Sequence, residues 1–308
     1  METGKPNYKM IVILIWVVIL WGVNAVAIKY LTQFYPPLVL APIRLCLASL
    51  LLVPVMIVQK CWRLPRKAWP SVGGIALFCI FLHQIALTFG IKATSGTHAV
   101  LILGMNPLMT ALLAGYFLKE KFTAAKAAGM VLGFGGLLFV VAANAQSGAS
   151  LFGDAVMGIA TLVFVIGSLF VKTATSYASP LTVTAYSHAL AAAGLGLVGF
   201  AANPDWGHAA YSSWIPVAVL LFSSFFSTAL GALLWNVSIK HLGASTASLF
   251  QNGCPVIGVF ASVLFLGEQL SWHHLTALVL VVLGVTIGTG ILPLPQFGRG
   301  KQAMDQQA

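Results

Sequence analysis

Glu120 and Glu268, Pro107 and Pro255, and Lys92 and Lys240 are pairs of rare residues that all fall 148 positions apart in a chain of 308 residues made mostly of apolar side chains. Matches among Leu or Val in such a background mean little; matches among Glu, Pro and Lys in one register indicate an internal repeat. Around them, 59% of the residues are hydrophobic, only 7% are charged and the mean hydropathy is +0.95. A soluble globule carries about 25% charged residues, so this composition excludes one and specifies an integral membrane protein.

Apolar stretches of roughly 20 residues, each enough to cross a ~30 Å hydrocarbon layer as helix, predict spans at 10–31, 36–58, 70–91, 95–118, 124–143, 154–174, 181–201, 213–238, 244–266 and 272–292. The expected fold is all-α, with ten transmembrane helices. A signal peptide competes for the first span, since Lys5 and Lys9 precede it and Ala25-Val26-Ala27 imitates a cleavage site. Apolar sequence resumes at once, however, and Lys29 has a repeat partner in Lys172, so the first helix is expected to stay. With the N-terminus cytoplasmic, the inner side collects Lys5, Lys9, Lys60, Arg63, Arg66, Lys67, Lys119, Lys121, Lys126, Lys240, Arg299 and Lys301, and the outer side keeps little beyond Lys29 and Lys92. This positive-inside bias puts both termini in the cytoplasm and accounts for most of the formal +10 charge. Nucleic acid is not an expected partner; the lipid bilayer is, and a homodimer is left open.

The register of the repeat is 143 for Lys29 with Lys172 and Pro37 with Pro180, and 148 from Ile91 with Ile239 to Gly136 with Gly284. The slip falls between the loops 59–69 and 202–212. Two units follow, 1–143 and 144–292, with a cytoplasmic tail at 293–308. Five helices per unit is an odd number, so the second unit enters the membrane from the opposite face, an inverted repeat suited to alternating access.

Trp21-Gly22 with Asn24 and Lys29, Pro37 followed by Arg44, the run from Pro107 through Leu118, Lys119 and Glu120 to Thr123, and its echo Pro255, Leu266-Gly267-Glu268 and Ser271 resemble the EamA-type family of the drug/metabolite transporter superfamily over nearly the whole chain. The resemblance implies a ten-helix fold of two inverted five-helix repeats, with a central cavity, that exports small metabolites such as amino acids across a bacterial inner membrane. Lys119 stands where the second copy has Gly267, and Phe164-Val165 stands where the first has Trp21-Gly22, which points to unequal halves.

All six acidic residues, Glu2, Glu120, Asp154, Asp205, Glu268 and Asp305, fall in tails, loops or helix ends. No acid is expected near the midplane. A proton-coupled mechanism would therefore run through His83, His98 or His188; uniport or exchange is the simpler alternative. Asn24, His83, Gln84, Asn106, Gln251 and Asn252 lie at depth, where an unsatisfied amide facing lipid costs several kcal/mol. They are candidate substrate contacts, with interhelical hydrogen bonding as the plainer reading. Trp21 joins them, and Trp235 also lies deep enough to line a path. Arg44, roughly 12 Å along its helix at about 1.5 Å per residue, either snorkels to the outer headgroups or meets a substrate carboxylate.

Pro107 and Pro255 are read as interior kinks that free the carbonyls of Leu103 and Gln251, with Gly104 and Gly253 leaving room beside them for a ligand. These four are the candidate hinge. Inverted topology separates Glu120 from Glu268, so neither is catalytic; each is expected to close its own helix end, with Thr123 and Ser271 as N-caps. The cysteines Cys46, Cys61, Cys79 and Cys254 read as small fillers, and His273-His274 lacks metal-ligand spacing. No nucleophile, acid–base pair, metal centre or cofactor motif shares one depth, so an enzyme is not expected. A multidrug or nucleotide-sugar type carrier and a channel or non-transporting scaffold remain as alternatives. The acid-free interior favours anionic or zwitterionic solutes over cations.

Overall fold

Long apolar runs punctuated by proline and serine become helices because a backbone surrounded by lipid must satisfy its hydrogen bonds within the segment. The computed structural model describes residues 8–117, 124–143, 150–202, 214–242, 247, 250–251 and 253–288. The helices are α1 Tyr8–Leu31, α2 Pro37–Val58, α3 Arg66–Ala93, α4 Gly96–Leu103, α5 Asn106–Phe117, α6 Ala124–Ala143, α7 Leu151–Tyr177, α8 Pro180–Ala201, α9 Trp214–Leu242, α10 Gly253–Leu266 and α11 Trp272–Gly288. No strand occurs among the described residues. Among the described residues six helices, α1, α2, α3, α7, α8 and α9, are long and apolar enough to cross a membrane. The chain is a multi-pass membrane protein.

Helix starts follow local chemistry. Pro37 and Pro180 occupy first-turn positions, where a missing N–H is not missed. The hydroxyls of Ser95, Ser150 and Ser179 accept from the N–H groups of His98, Gly153 and Thr182 at 3.0, 2.9 and 3.1 Å, capping α4, α7 and α8.

The expected fourth span is not one helix. The chain turns at Gly104 and Met105, so α4 and α5 are separate. Pro107 therefore sits in the first turn of α5 rather than in an interior, and Pro255 likewise in the first turn of α10, after a turn at Gln251. The prolines start helices after a break; they do not kink continuous ones. Gly104 and Gly253 leave no room for a ligand either. A Cβ on Gly104 would lie 2.3 Å from Pro255 Cγ, and one on Gly253 would lie 2.8 Å from Val18 Cγ1. Helix contacts fill both gaps.

Two long helices depart from α geometry at corresponding places. Within α3 the segment Ile75–Leu82 is π-helical, and within α9 so is Phe222–Leu230. Closest neighbours pair α6 with α11, α2 with α8, α3 with α7, α1 with α10 and α9, and α4 with α10. Between helices in lipid there is little hydrophobic drive, so small residues that allow close approach hold the seams. A Cβ on Gly284 would lie 2.6 Å from Gly129 O, and one on Gly167 2.3 Å from Cys79 N. Outward faces are apolar, with Phe200 89% and Leu264 75% exposed, as lipid contact requires.

Candidate functional site

A cavity of about 130 Å³ lies between the helices. At about 10–15 Å³ for each water in this measure, it has room for roughly ten waters or a small solute. Its lining comes from α1, α2, α3, α7, α8 and α9 and from both helix breaks, Leu103 with Asn106 and Gln251 with Cys254. None of the lining residues belongs to α6 or α11.

Seven of the eight residues singled out from sequence, Trp21, Asn24, Arg44, His83, Gln84, Asn106 and Gln251, line this one cavity. Asn252 lies outside the described residues, as do Glu120 and Thr123. The convergence has a physical cause: polar side chains on apolar helices avoid lipid by facing inward. His83 Nδ1 is 2.8 Å from the carbonyl of Ala160, and His188, also in the lining, holds the carbonyl of Thr184 at 2.9 Å.

The position of Arg44 rules out one of its two alternatives. It is fully buried, so it does not snorkel. Its Nε donates to Ser223 Oγ at 2.8 Å, Nη1 to Gln84 Oε1 at 3.0 Å and Nη2 to Thr228 Oγ1 at 2.8 Å. Ser223 Oγ in turn donates to Asn24 Oδ1 at 2.6 Å. The network joins α1, α2, α3 and α9.

An aromatic wall completes the site. The rings of Trp21 and Trp235 are centred 5.2 Å apart, Phe164 meets Trp21 edge-on at 5.9 Å, and His83 lies 5.0 Å from Phe164. Trp21 Nε1 donates to the carbonyl of Ser227 at 3.1 Å. Two buried atoms of lining residues have no hydrogen-bond partner among the described residues: Asn106 Oδ1 and Trp235 Nε1.

Sequence reasoning missed the hydroxyls Ser187, Ser227 and Thr228, together with Phe164 and Asn236, all in the lining. The polar run Ser223-Ser224 and Ser227-Thr228 in an apolar helix was the available signal. Cys79 and Cys254 also line the cavity.

Away from the cavity, a second polar cluster refines one expectation. The backbone N–H of Glu268 closes its own helix end, on Ser262 O at 3.4 Å, but its side chain serves another helix. Its carboxylate accepts from Gly96 N at 2.7 Å, Thr97 N at 2.9 Å and Thr97 Oγ1 at 2.6 Å, capping α4 from 171 to 172 residues away. Leu266 ends α10 through Gly267, whose φ of +67° is natural only to glycine. Asp154, though in the first turn of α7, is buried; it accepts from Thr94 Oγ1 at 2.5 Å and pairs with His98 Nδ1 at 3.1 Å. Lys29 Nζ donates to the carbonyls of Lys92, at 3.1 Å, and Thr94. Ser271 precedes α11, and its N–H and hydroxyl meet His274 Nδ1 at 3.2 and 3.1 Å.

Residues 8–142 and 151–289 each match the EamA-like transporter family. An uncharacterized transporter of Archaeoglobus fulgidus is 28% identical over 276 residues, covering 90% of this chain and 97% of its own. The uncharacterized transporter YyaM of Bacillus subtilis is 30% identical over 289 residues, covering 89% and 92%. A chloroplastic WAT1-related protein of Arabidopsis thaliana is 27% identical, covering 87% of this chain and 66% of its own. A solved crystal structure superposes with a TM-score of 0.68 at 18% identity, covering 92% of this chain and 97% of that one, a likeness of fold.

Proposed function

Because the chain belongs to the EamA-like transporter family, we propose that it is a secondary carrier that exports small metabolites, amino acids or related compounds, by alternating access. The observation that carries this reading is the cavity. Both family-matched segments build it, and the two interrupted helices reach it with Leu103, Asn106, Gln251 and Cys254. Interrupted helices meeting at a site between repeats are a common substrate-binding arrangement in secondary transporters.

The repeat units are 1–143 and 144–292, inverted relative to each other. Supporting this, the π-helical segments Ile75–Leu82 and Phe222–Leu230 end in the register of the sequence repeat and begin within one residue of it. The helix neighbours also exchange correctly: α3 packs on α7 and α8, as α9 packs on α1 and α2. Lys29, Thr94, Asp154, His98 and Glu268 then share the outer rim, with both termini cytoplasmic in a bacterial inner membrane. Trp21, Asn24, Arg44, His83, Gln84, Asn106, Gln251 and Asn252 contact substrate, and the breaks that precede Pro107 and Pro255 flex as the cavity changes sides.

Two measurements test the reading. Cells with and without the protein are compared for the metabolites they release, and the purified protein in liposomes is assayed for counterflow. Saturable exchange of a released solute is expected. High flux without exchange would replace the carrier by a channel, and no flux would leave a scaffold.

A further inference from the structure

The polar groups of the cavity do not balance. Arg44 carries five N–H donors and a fixed positive charge, yet the groups it touches, Ser223, Gln84 and Thr228, are all neutral. Among the described residues the only acidic side chain within 4 Å of a basic nitrogen is Asp154, at His98 Nδ1, and no carboxylate lines the cavity. A buried cation held only by dipoles is expensive in a membrane interior and is retained where it has work to do. Two of its N–H groups have no partner among the described residues. On the same walls, Trp235 Nε1 is a second buried donor without an acceptor, and Asn106 Oδ1 is a buried acceptor without a donor.

Resting on the carrier reading above, we infer that the substrate supplies the missing charge: an oxyanion that docks on Arg44. A guanidinium fork matches carboxylate and phosphate alike, so an amino acid and a small phosphorylated metabolite both fit. The same residue connects binding to movement. Arg44 belongs to the first family-matched segment, and two of its three bonds reach Ser223 and Thr228 on α9 of the second. Any rearrangement that carries α9 away from α2 breaks those bonds. An oxyanion on the fork replaces them, so occupied cavities cross between states and empty ones stay closed.

The test uses the full-length protein with four probes: L-leucine, L-glutamate, inorganic phosphate and leucinamide, which lacks the carboxylate. Saturable thermal stabilisation is recorded for wild type, Arg44→Lys and Arg44→Gln, together with counterflow in liposomes. At least one oxyanion is expected to stabilise wild type while leucinamide does not. Arg44→Gln should raise its half-saturating concentration by at least about tenfold, with a smaller rise in Arg44→Lys. Response to leucine or glutamate alone identifies a carboxylate, and response to phosphate alone a phosphate. Leucinamide acting as well as leucine, no response to any oxyanion, or an unchanged Arg44→Gln overturns the inference. If Arg44→Gln fails to fold, the comparison of leucine with leucinamide on wild type and Arg44→Lys decides alone. Saturable exchange of leucinamide would discard the anion site and keep the carrier, whereas absence of exchange for every solute of a whole-cell metabolite extract would discard the carrier.

Discussion

Replacing Glu268 by alanine removes the acceptor for three donors at the start of α4: Gly96 N, Thr97 N and Thr97 Oγ1, at 2.7, 2.9 and 2.6 Å. A hydrogen bond to a charged group contributes about 1.5–3 kcal/mol when well buried. Glu268 is only half-buried, and after its removal water reaches part of the helix end, so the three together contribute about 2–3 kcal/mol rather than their sum. At about 2 °C per kcal/mol for a chain of this size, Glu268→Ala should lower the unfolding midpoint in detergent by about 4–6 °C. Glu268→Gln keeps an acceptor oxygen but loses the charge at a helix N-terminus, and should lose about half as much. Gly96→Ala attacks the same contact from the other side, because its Cβ would lie 3.1 Å from Glu268 Oε1 and 2.8 Å from Ser262 Oγ. The double variant should therefore be less than additive by about 1 kcal/mol. A Glu268→Ala midpoint within about 1 °C of wild type, or full additivity with Gly96→Ala, would refute the assignment of this carboxylate as the cap that joins α4 to the far end of α10.

Gly167→Ala places a Cβ 2.3 Å from Cys79 N and 2.6 Å from Cys79 Cα, backbone atoms that cannot move aside. It should abolish the monodisperse peak in size-exclusion chromatography, whereas Gly158→Ala on the same helix, with nothing within 4 Å, should keep it. Gly104→Ala meets Pro255 Cγ at 2.3 Å and should lower the unfolding midpoint; Pro255→Ala should recover part of the loss, since a first-turn proline contributes little by itself. Asp154→Ala removes the acceptor shared by Thr94 Oγ1 and His98 Nδ1 and should destabilise by about 1–3 kcal/mol. Asp154→Asn, which still accepts from Thr94, should lose less in the same melting assay.

The sequence readings that held were those in which the membrane leaves a residue few options. Asn24, Gln84, Asn106 and Gln251 had to face protein, and one cavity received them all. Those that missed depended on contacts distant in the chain or on backbone detail. Nothing local marks Glu268 as the partner of Gly96, 172 residues away. The run Gly104-Met105-Asn106-Pro107 is compatible with either a kink or a break, and the outcome depends on whether Pro107 falls within a helix or at its start. Serine and threonine escaped notice because they satisfy themselves on the preceding turn, as Ser224 does on Leu220 O at 2.7 Å.

Ser223 and Thr228 show how backbone irregularity makes a site from such residues. Five residues of ordinary α-helix turn through about 500°, which would point two side chains roughly 140° apart. Both nevertheless hold Arg44, at 2.8 Å each. Closing hydrogen bonds at i→i+5 brings the fifth residue back onto the face of the first, and Thr228 Oγ1 reaches Ser223 O at 2.9 Å across that widened turn. The corresponding π-helical stretch of α3 sends Ile75, Cys79 and Ile80 to the same cavity, and both helix breaks end there as well. Irregular backbone at membrane depth is tolerated only where protein or water can satisfy it. Its concentration around one polar space therefore marks that space as the region where the fold trades regular hydrogen bonding for a polar cavity, with Arg44 as the charged residue in its lining.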